Sequence, residues 1–272
     1  MSLKFTSLMV FVLLAVSAFA QTRSKQQLKA EMATSATRGC FATFNTALPS
    51  FCVTQNGNIE QFFFPAGFSQ IFTDGYGICD FTTNETSYYD DGDQDSGNWQ
   101  NPIVSEPNGA NTFPLTITRN SADGIWTIKQ VFSRNTMDAY VKVVITWTNN
   151  TTVGRVAYFT RYVDIDADGN INDAGLNFFD GSANSGWGYS PASAGNSHGL
   201  TVRSNQSNNN LLGFVTSFSP TQGGNHDPCF FTPNTTPQQG DQAVMYVWAP
   251  GNLSFTVPAR GKVTQTLEFR PM

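Results

Sequence analysis

The chain has 272 residues, a formal net charge of −5, only 13% charged residues and 23 phenylalanines. That length holds one large domain, or two small ones, with a real hydrophobic core, and the acidic balance argues against nucleic acid as a partner. With so few charges, solubility rests on Asn, Thr, Ser and Gly, which suits an extracellular β domain.

The N-terminus carries Lys4, an apolar run from Leu8 to Val16 and then Ala18-Phe19-Ala20. This is the pattern of a secretory signal over residues 1–20, with cleavage after Ala20 and a secreted product, extracellular or periplasmic. The run is well short of the roughly 20 residues that a spanning helix needs, and no later segment approaches that length, so no membrane span is expected. Residues 21–39 are polar, with Arg23, Lys25, Lys29 and Arg38 against Glu31, and read as a mobile linker or a short helix. A β-sandwich domain is expected over residues 40–272.

After an export signal, Cys40, Cys52, Cys79 and Cys229 are expected to pair, and three connectivities are possible. The reading leans to Cys40 with Cys52, closing a short hairpin-like loop, and Cys79 with Cys229. Zinc held by cysteines with His198 and His226 is the alternative, and the lack of any CxxC pair argues against it.

Strand signals recur along the rest of the chain, divided by Gly, Pro and Asn clusters: Asn58 to Phe64, Ile78 to Thr83, Leu115 to Thr118 and Ile125 to Phe132. Val141, Val143, Ile145 and Trp147 alternate with more polar residues. Val156, Tyr158, Thr160 and Tyr162 follow the turn Asn149 to Gly154, and the two runs together read as a long antiparallel hairpin. Further strands are expected at Leu200 to Arg203, Leu211 to Phe218 and Ala243 to Trp248. The terminal run places Val263, Gln265, Leu267 and Phe269 on one side. The fold class is therefore all-β, a large two-sheet antiparallel sandwich with long acidic loops at 90–112, 164–197 and 219–241.

One of those loops opens with Asp164, Asp166, Asp168, Gly169 and Asn170. Oxygen ligands at the first, third and fifth positions, glycine at the sixth and a carbonyl at the seventh are the requirements of a calcium loop. Ile171 supplies an apolar anchor and Asn172 a further ligand. Gly175 stands where a bidentate Glu is usual, so Asp173 or Asp180 would have to substitute. The run Asp90 to Gly97, with Asp91, Asp93 and Asp95, is a weaker second metal candidate because it lacks the anchor.

Trp99, Trp187, Tyr189 and Phe230 sit in loop-like Gly/Asn/Pro surroundings, and Tyr88 and Tyr89 flank the second acidic cluster. Such rings either stack on the apolar faces of sugars or pin loops to the sandwich; Tyr89, Trp99, Trp187 and Tyr189 are the ligand-binding candidates. For catalysis, Ser197-His198 and His226-Asp227 supply triad residue types, but no GxSxG elbow accompanies them. A pair of Asp/Glu carboxylates remains a possible glycosidase arrangement.

The run Gly57-Asn-Ile-Glu-Gln-Phe-Phe-Phe-Pro65, followed by Thr73-Asp-Gly75, is similar to the start of the β-supersandwich domain of bacterial glucoamylases and glucodextranases. Ile128 to Trp147 and Arg161 to Asp166 continue that resemblance in the same order. It implies a galactose-mutarotase-like sandwich with contact to carbohydrate. It carries over no catalytic residue, because in that family the catalytic carboxylates lie on the helical barrel. The acidic insertion from Asp90 to Asn98 departs from the pattern. The expected function is a secreted, calcium-stabilised, non-catalytic sandwich that binds carbohydrate or a cell-surface partner. An extracellular carbohydrate-active enzyme and a structural surface or matrix protein are the alternatives.

Overall fold

The computed structural model describes residues 39–64, 67, 69–91, 95–167, 176–189, 198–205, 211–217, 227–229, 238–239, 242–248 and 255–272. The expected signal and nearly all of the polar leader fall outside them. Strands β1 (Cys40–Phe44), β2 (Ser50–Thr54) and β3 (Ile59–Phe63) form a small antiparallel sheet, and β4 (Thr73–Asp80) and β5 (Thr86–Asp91) follow as a hairpin. β6 (Ile103–Ser105), β7 (Leu115–Asn120), β8 (Trp126–Asn135) and β9 (Tyr140–Asn149) make a meander. β10 (Arg155–Asp164) then returns beside β4. β11 (Leu176–Asp180), β12 (Ser185–Tyr189) and β13 (Gly199–Ser204) form a second meander. β14 (Leu211–Ser217), β15 (Gln238–Gln239), β16 (Gln242–Trp248), β17 (Phe255–Val257) and β18 (Lys262–Pro271) complete the chain.

Among the described residues, two large antiparallel sheets make the sandwich. The six-stranded sheet has the order β14-β16-β10-β4-β5, with β17 on β10. The nine-stranded sheet has the order β15-β11-β12-β13-β18-β9-β8-β7-β6. The expected all-β sandwich is therefore what forms, with the three-stranded sheet as an addition. Trp187 and Tyr189 lie on β12 and not in an irregular loop, and Asp90 and Asp91 end β5.

The hairpin expected from Val141–Trp147 and Val156–Tyr162 does not form. β9 pairs with β8 and β18, whereas β10 pairs with β4, β16 and β17, so the turn between them carries the chain from one sheet to the other. The burial patterns give the reason. β9 alternates between buried and partly exposed residues, but β10 is buried on both faces along almost its whole length, which requires a central strand covered on both sides. The two strands instead face each other across the core, where the Trp147 and Phe159 rings stack at 4.7 Å. Asn149, fully buried, holds the crossover by donating to the carbonyls of Val153, Val257 and Pro258.

Three arginine–aspartate pairs lie within the interior. Arg161 and Asp74 have no exposed surface; Arg161 Nε donates to Asp74 at 2.6 Å, Nη2 donates to its other oxygen, and Nη1 donates to Gln130 at 2.6 Å. The Ile59 amide donates to Asp74 at 2.8 Å. Gly57, with φ of +98°, completes the nest, since a Cβ there would lie 2.1 Å from Gln130 Nε2. Arg155 donates to Asp80 at 2.6 Å, as does the Trp126 indole at 2.8 Å. Arg119 donates to Asp90 at 2.7 Å.

Cys40 pairs with Cys52 and Cys79 with Cys229, and among the described residues no helix is long and apolar enough to cross a membrane. The second bridge joins residues 150 apart and holds Cys229 against the outer face of the six-stranded sheet, over Cys79, Tyr158, Tyr162 and Met245.

Two outcomes follow from the buried pairs. Arg161→Met leaves Asp74 buried without its counter-charge and should lower stability by about 3–5 kcal/mol in chemical denaturation; a loss under about 1 kcal/mol would show the pair to be dispensable. Burial pushes Asp74 up to about 6 against the charge and hydrogen bonds of Arg161, and pushes Asp90 up to about 8. The folded state then binds more protons than the unfolded chain, whose aspartates titrate near roughly 3.9, so stability falls as pH rises through that window. Calorimetry should give a higher Tm at pH 5 than at pH 8, and the reverse order would contradict the assignment.

Candidate functional site

The two large sheets differ in what their outer faces offer. That of the six-stranded sheet is covered around Pro228 and Cys229, where the Tyr158 hydroxyl donates to the Pro228 carbonyl. That of the nine-stranded sheet carries partly exposed side chains along β7, β8, β9, β18, β13 and β12.

Pairing register aligns these side chains in rows across the strands, because directly opposed residues project to the same face. One row runs Phe178, Trp187, Thr201 and Arg270 by register, and continues through Tyr140, over whose ring Arg270 lies, to Asn135. Six strands at about 4.8 Å spacing make it about 24 Å long. The adjacent row runs Asp180, Ser185, Arg203, Glu268, Lys142 and Ser133.

The sequence Ser185-Gly186-Trp187-Gly188-Tyr189 explains the aromatic end. β12 alternates glycine inward and ring outward. A Cβ on Gly186 would lie 2.1 Å from Val244 Cγ1, and one on Gly188 would lie 2.7 Å from Ile165 Cγ2, so the strand packs against the opposite sheet with no inward side chains at these positions. The Gly186 amide donates to the Tyr246 hydroxyl at 2.6 Å, and that hydroxyl donates to the Val202 carbonyl. On the outer side the Trp187 and Tyr189 rings stack at 5.7 Å and 29°, and Phe178 meets Trp187 edge-on at 4.9 Å.

Further along, Arg270 lies over the Tyr140 ring at 4.1 Å and its Nε donates to Glu268 at 2.7 Å. The other Glu268 oxygen accepts from Asn205 Nδ2. Tyr140, Lys142 and Asn135 continue into an open groove of about 350 Å³ beside Met137. Hydrogen bonds from the Ser182 hydroxyl and amide hold Asp180 below the usual carboxylate range.

The expected ligand-binding aromatics therefore separate. Trp187 and Tyr189 share one face. Trp99 is a correction: it is 9% exposed, its indole donates to the Tyr89 carbonyl at 3.1 Å, and it packs edge-on against Tyr76 and Tyr88. Its loop folds back over β5, so the ring fills the interior. Tyr89 is partly buried on β5, away from the Trp187 strip, and burial raises its hydroxyl pKa. Phe230 lies outside the described residues. Phe178, Tyr140, Arg270 and Glu268 were not foreseen as site residues; the alternation of glycine with ring in 185–189 was the signal available for the face they share.

Of the metal candidates, Asp164 and Asp166 are buried at the end of β10, where the Phe72 amide donates to the Asp164 carbonyl and the Asp166 amide to that of Gln70. Asp168, Asn170, Asn172 and Asp173 lie outside the described residues, as does Asp93. Asp91 is buried on the face of β5 opposite to Asp90. Asp95 accepts from Arg119 at 3.1 Å. Among the described residues no three His, Cys, Asp or Glu converge on a metal position, and all four cysteines are in disulfides, which removes the zinc alternative.

Asp90 and Asp95 are the carboxylates that meet. Burial raises Asp90, helped by its hydrogen bond with Asp95. Burial also acts to raise Asp95, but hydrogen bonds from Asp90 and the Gly97 amide and the charge of Arg119 outweigh it and hold Asp95 low. Asn56, Asn58 and Arg119 all donate to Asp90, which is 1% exposed, so it has no access to a substrate.

Neither a protein-family model nor a curated protein matches the sequence. Among solved structures, a bacterial glucoamylase complexed with acarbose matches at a TM-score of 0.56 and 7% identity, over 86% of this chain and 32% of that one. A putative aldose 1-epimerase from Escherichia coli K12 matches at 0.47 and 10% identity, over 85% and 98% of the two chains. A polysaccharide lyase matches at 0.37 and 9%, over 86% and 32%. The chain spans about a third of the glucoamylase's length. At such identity the likeness is one of fold, and in the fold the expected resemblance to bacterial glucoamylase is borne out.

Proposed function

We propose that this chain is a secreted, non-catalytic sandwich that binds carbohydrate along the row from Phe178 to Asn135, stabilised by calcium at the loop that begins at Asp164. The observation that carries the reading is the strip of three rings, Phe178, Trp187 and Tyr189, on an outer sheet face beside hydrogen-bonding Thr201, Arg270 and Asn135. Flat rings match the apolar faces of sugars, and the polar members of the row match their hydroxyls.

A binding role is favoured over hydrolysis by the acids of this face. Asp180 and Glu268 stand three strands apart in their row, about 14 Å, beyond the roughly 5–10 Å of a glycosidase pair. Glu268 is also engaged on both oxygens. Two disulfides support an oxidising compartment, in keeping with export. For calcium, the support is that Asp164 and Asp166, 0% and 6% exposed, open a segment whose next residues supply Asp168 and Asn170. Oxygen ligands at the first, third and fifth positions of such a segment are what a calcium ion takes.

Glycan-array binding tests the first part. Trp187→Ala should cost roughly tenfold in affinity while leaving the fold intact, whereas Trp99→Ala should act through stability. An array on which the protein binds nothing would leave a structural role as the better account. For the second part, a site with a dissociation constant of roughly 10⁻⁴ M should raise Tm by about 5 °C in ~2 mM calcium relative to chelator. Asp166→Asn should remove that rise, and a Tm indifferent to calcium would end the metal proposal.

A further inference from the structure

The folded part of the chain separates its charges. Beyond Arg38, Arg119, Arg155 and Arg161 are buried in the interior pairs, and Arg134 donates to the Ala47 carbonyl and to Thr46. Arg260 lies in the turn before β18. The remaining bases, Lys129, Lys142, Arg203, Lys262 and Arg270, all project from the outer face of the nine-stranded sheet. Only Glu268 and Asp180 stand on that face as acids among its described residues, in a protein whose net charge is −5. An overall acidic protein thus presents one basic face, and it is the face that carries the aromatic strip.

The register places this charge beside the rings. Arg203, Glu268 and Lys142 oppose one another on three neighbouring strands. Glu268 is engaged by Arg270 and Asn205. Among the described residues, no carboxylate pairs with Lys142 or Arg203. Arg203 is the diagonal neighbour of Trp187 one strand away, and Lys142 is the diagonal neighbour of Arg270. Diagonal neighbours lie about 7–8 Å apart, within reach of a long side chain.

Resting on the carbohydrate reading above, we infer that the ligand is an acidic polysaccharide bearing uronate carboxylates, with the sugar rings on Trp187 and Tyr189 and the carboxylates on Arg203 and Lys142. A guanidinium fork fits the plane of a carboxylate with two parallel hydrogen bonds, and a ring beside it fits the apolar face of the same sugar. A neutral glycan would bring no carboxylate to either cation.

The test is affinity electrophoresis of the mature chain in polygalacturonate and in the same polymer fully methyl-esterified, which keeps the backbone and removes the charge. Retardation by polygalacturonate alone is expected, weakening as salt rises from 50 to 500 mM, on the order of the screening expected for exposed charges. The double variant Lys142→Gln/Arg203→Gln, changed only at the surface, should lose roughly tenfold in affinity for polygalacturonate. Equal binding to both polymers would overturn the uronate assignment and leave carbohydrate binding standing. Equal retardation by polyglutamate, or stronger retardation by dextran sulfate, would overturn it as well, since the face would then read charge without the uronate. Binding to neutral glycans on the array but to neither polymer would refute this inference alone, and binding to nothing would refute both readings.

Discussion

The burial of Arg161 is the constraint on which the architecture turns. Removing a guanidinium from water costs several kcal/mol unless its donors and its charge are matched, and here both are matched at once. Asp74 on β4 supplies the counter-charge and Gln130 on β8 an acceptor, while Ile59 on β3 supports the aspartate through its amide. Those partners come from all three sheets. A shift of any sheet by one register step would leave a buried charge uncompensated, so the interaction selects one relative placement of the sheets. Arg119 with Asp90 and Arg155 with Asp80 apply the same demand at other points of the interior.

The close approach of the sheets in turn decides what is displayed outside. Opposite β12 the interior is filled by Val244, Tyr246 and Ile165, which leave space for glycine alone. With Gly186 and Gly188 pointing inward, the period of two in a strand obliges Trp187 and Tyr189 to point outward. An outward Trp beside an outward Tyr is costly for a surface with no partner, and it is held here by the packing behind it.

Charge is arranged by the same logic. Acids gather on β4 and β5 and at the end of β10, and arginines meet Asp74, Asp80 and Asp90 there. Lys129, Lys142, Arg203, Lys262 and Arg270 line the opposite face, over rows of threonine such as Thr146 and Thr264, whose hydroxyls meet at 3.0 Å. The proposed binding of an extended ligand rests on the rings at one end of this sheet and on Lys142 and Arg203 beside them, which no carboxylate pairs with among the described residues.

Alternation in the terminal run, the strand-rich pattern with Gly/Pro breaks and the short spacing of Cys40 and Cys52 were legible in the sequence alone, because they follow from local geometry: a strand faces two ways, and nearby cysteines meet readily. The resemblance in Gly57 to Pro65 and Arg161 to Asp166 likewise pointed to the fold. Which strands pair was decided by tertiary structure. Val141–Trp147 and Val156–Tyr162 have the pattern of a hairpin, and only burial of β10 on both faces sends them to separate sheets. The same holds for the rings: Trp99 and Trp187 occupy similar Gly- and Asn-rich surroundings in sequence, yet one is folded inward over β5 while the other is turned outward by glycines packed against Val244. Local sequence determines that a residue alternates; the partner it meets across the core determines which side it faces.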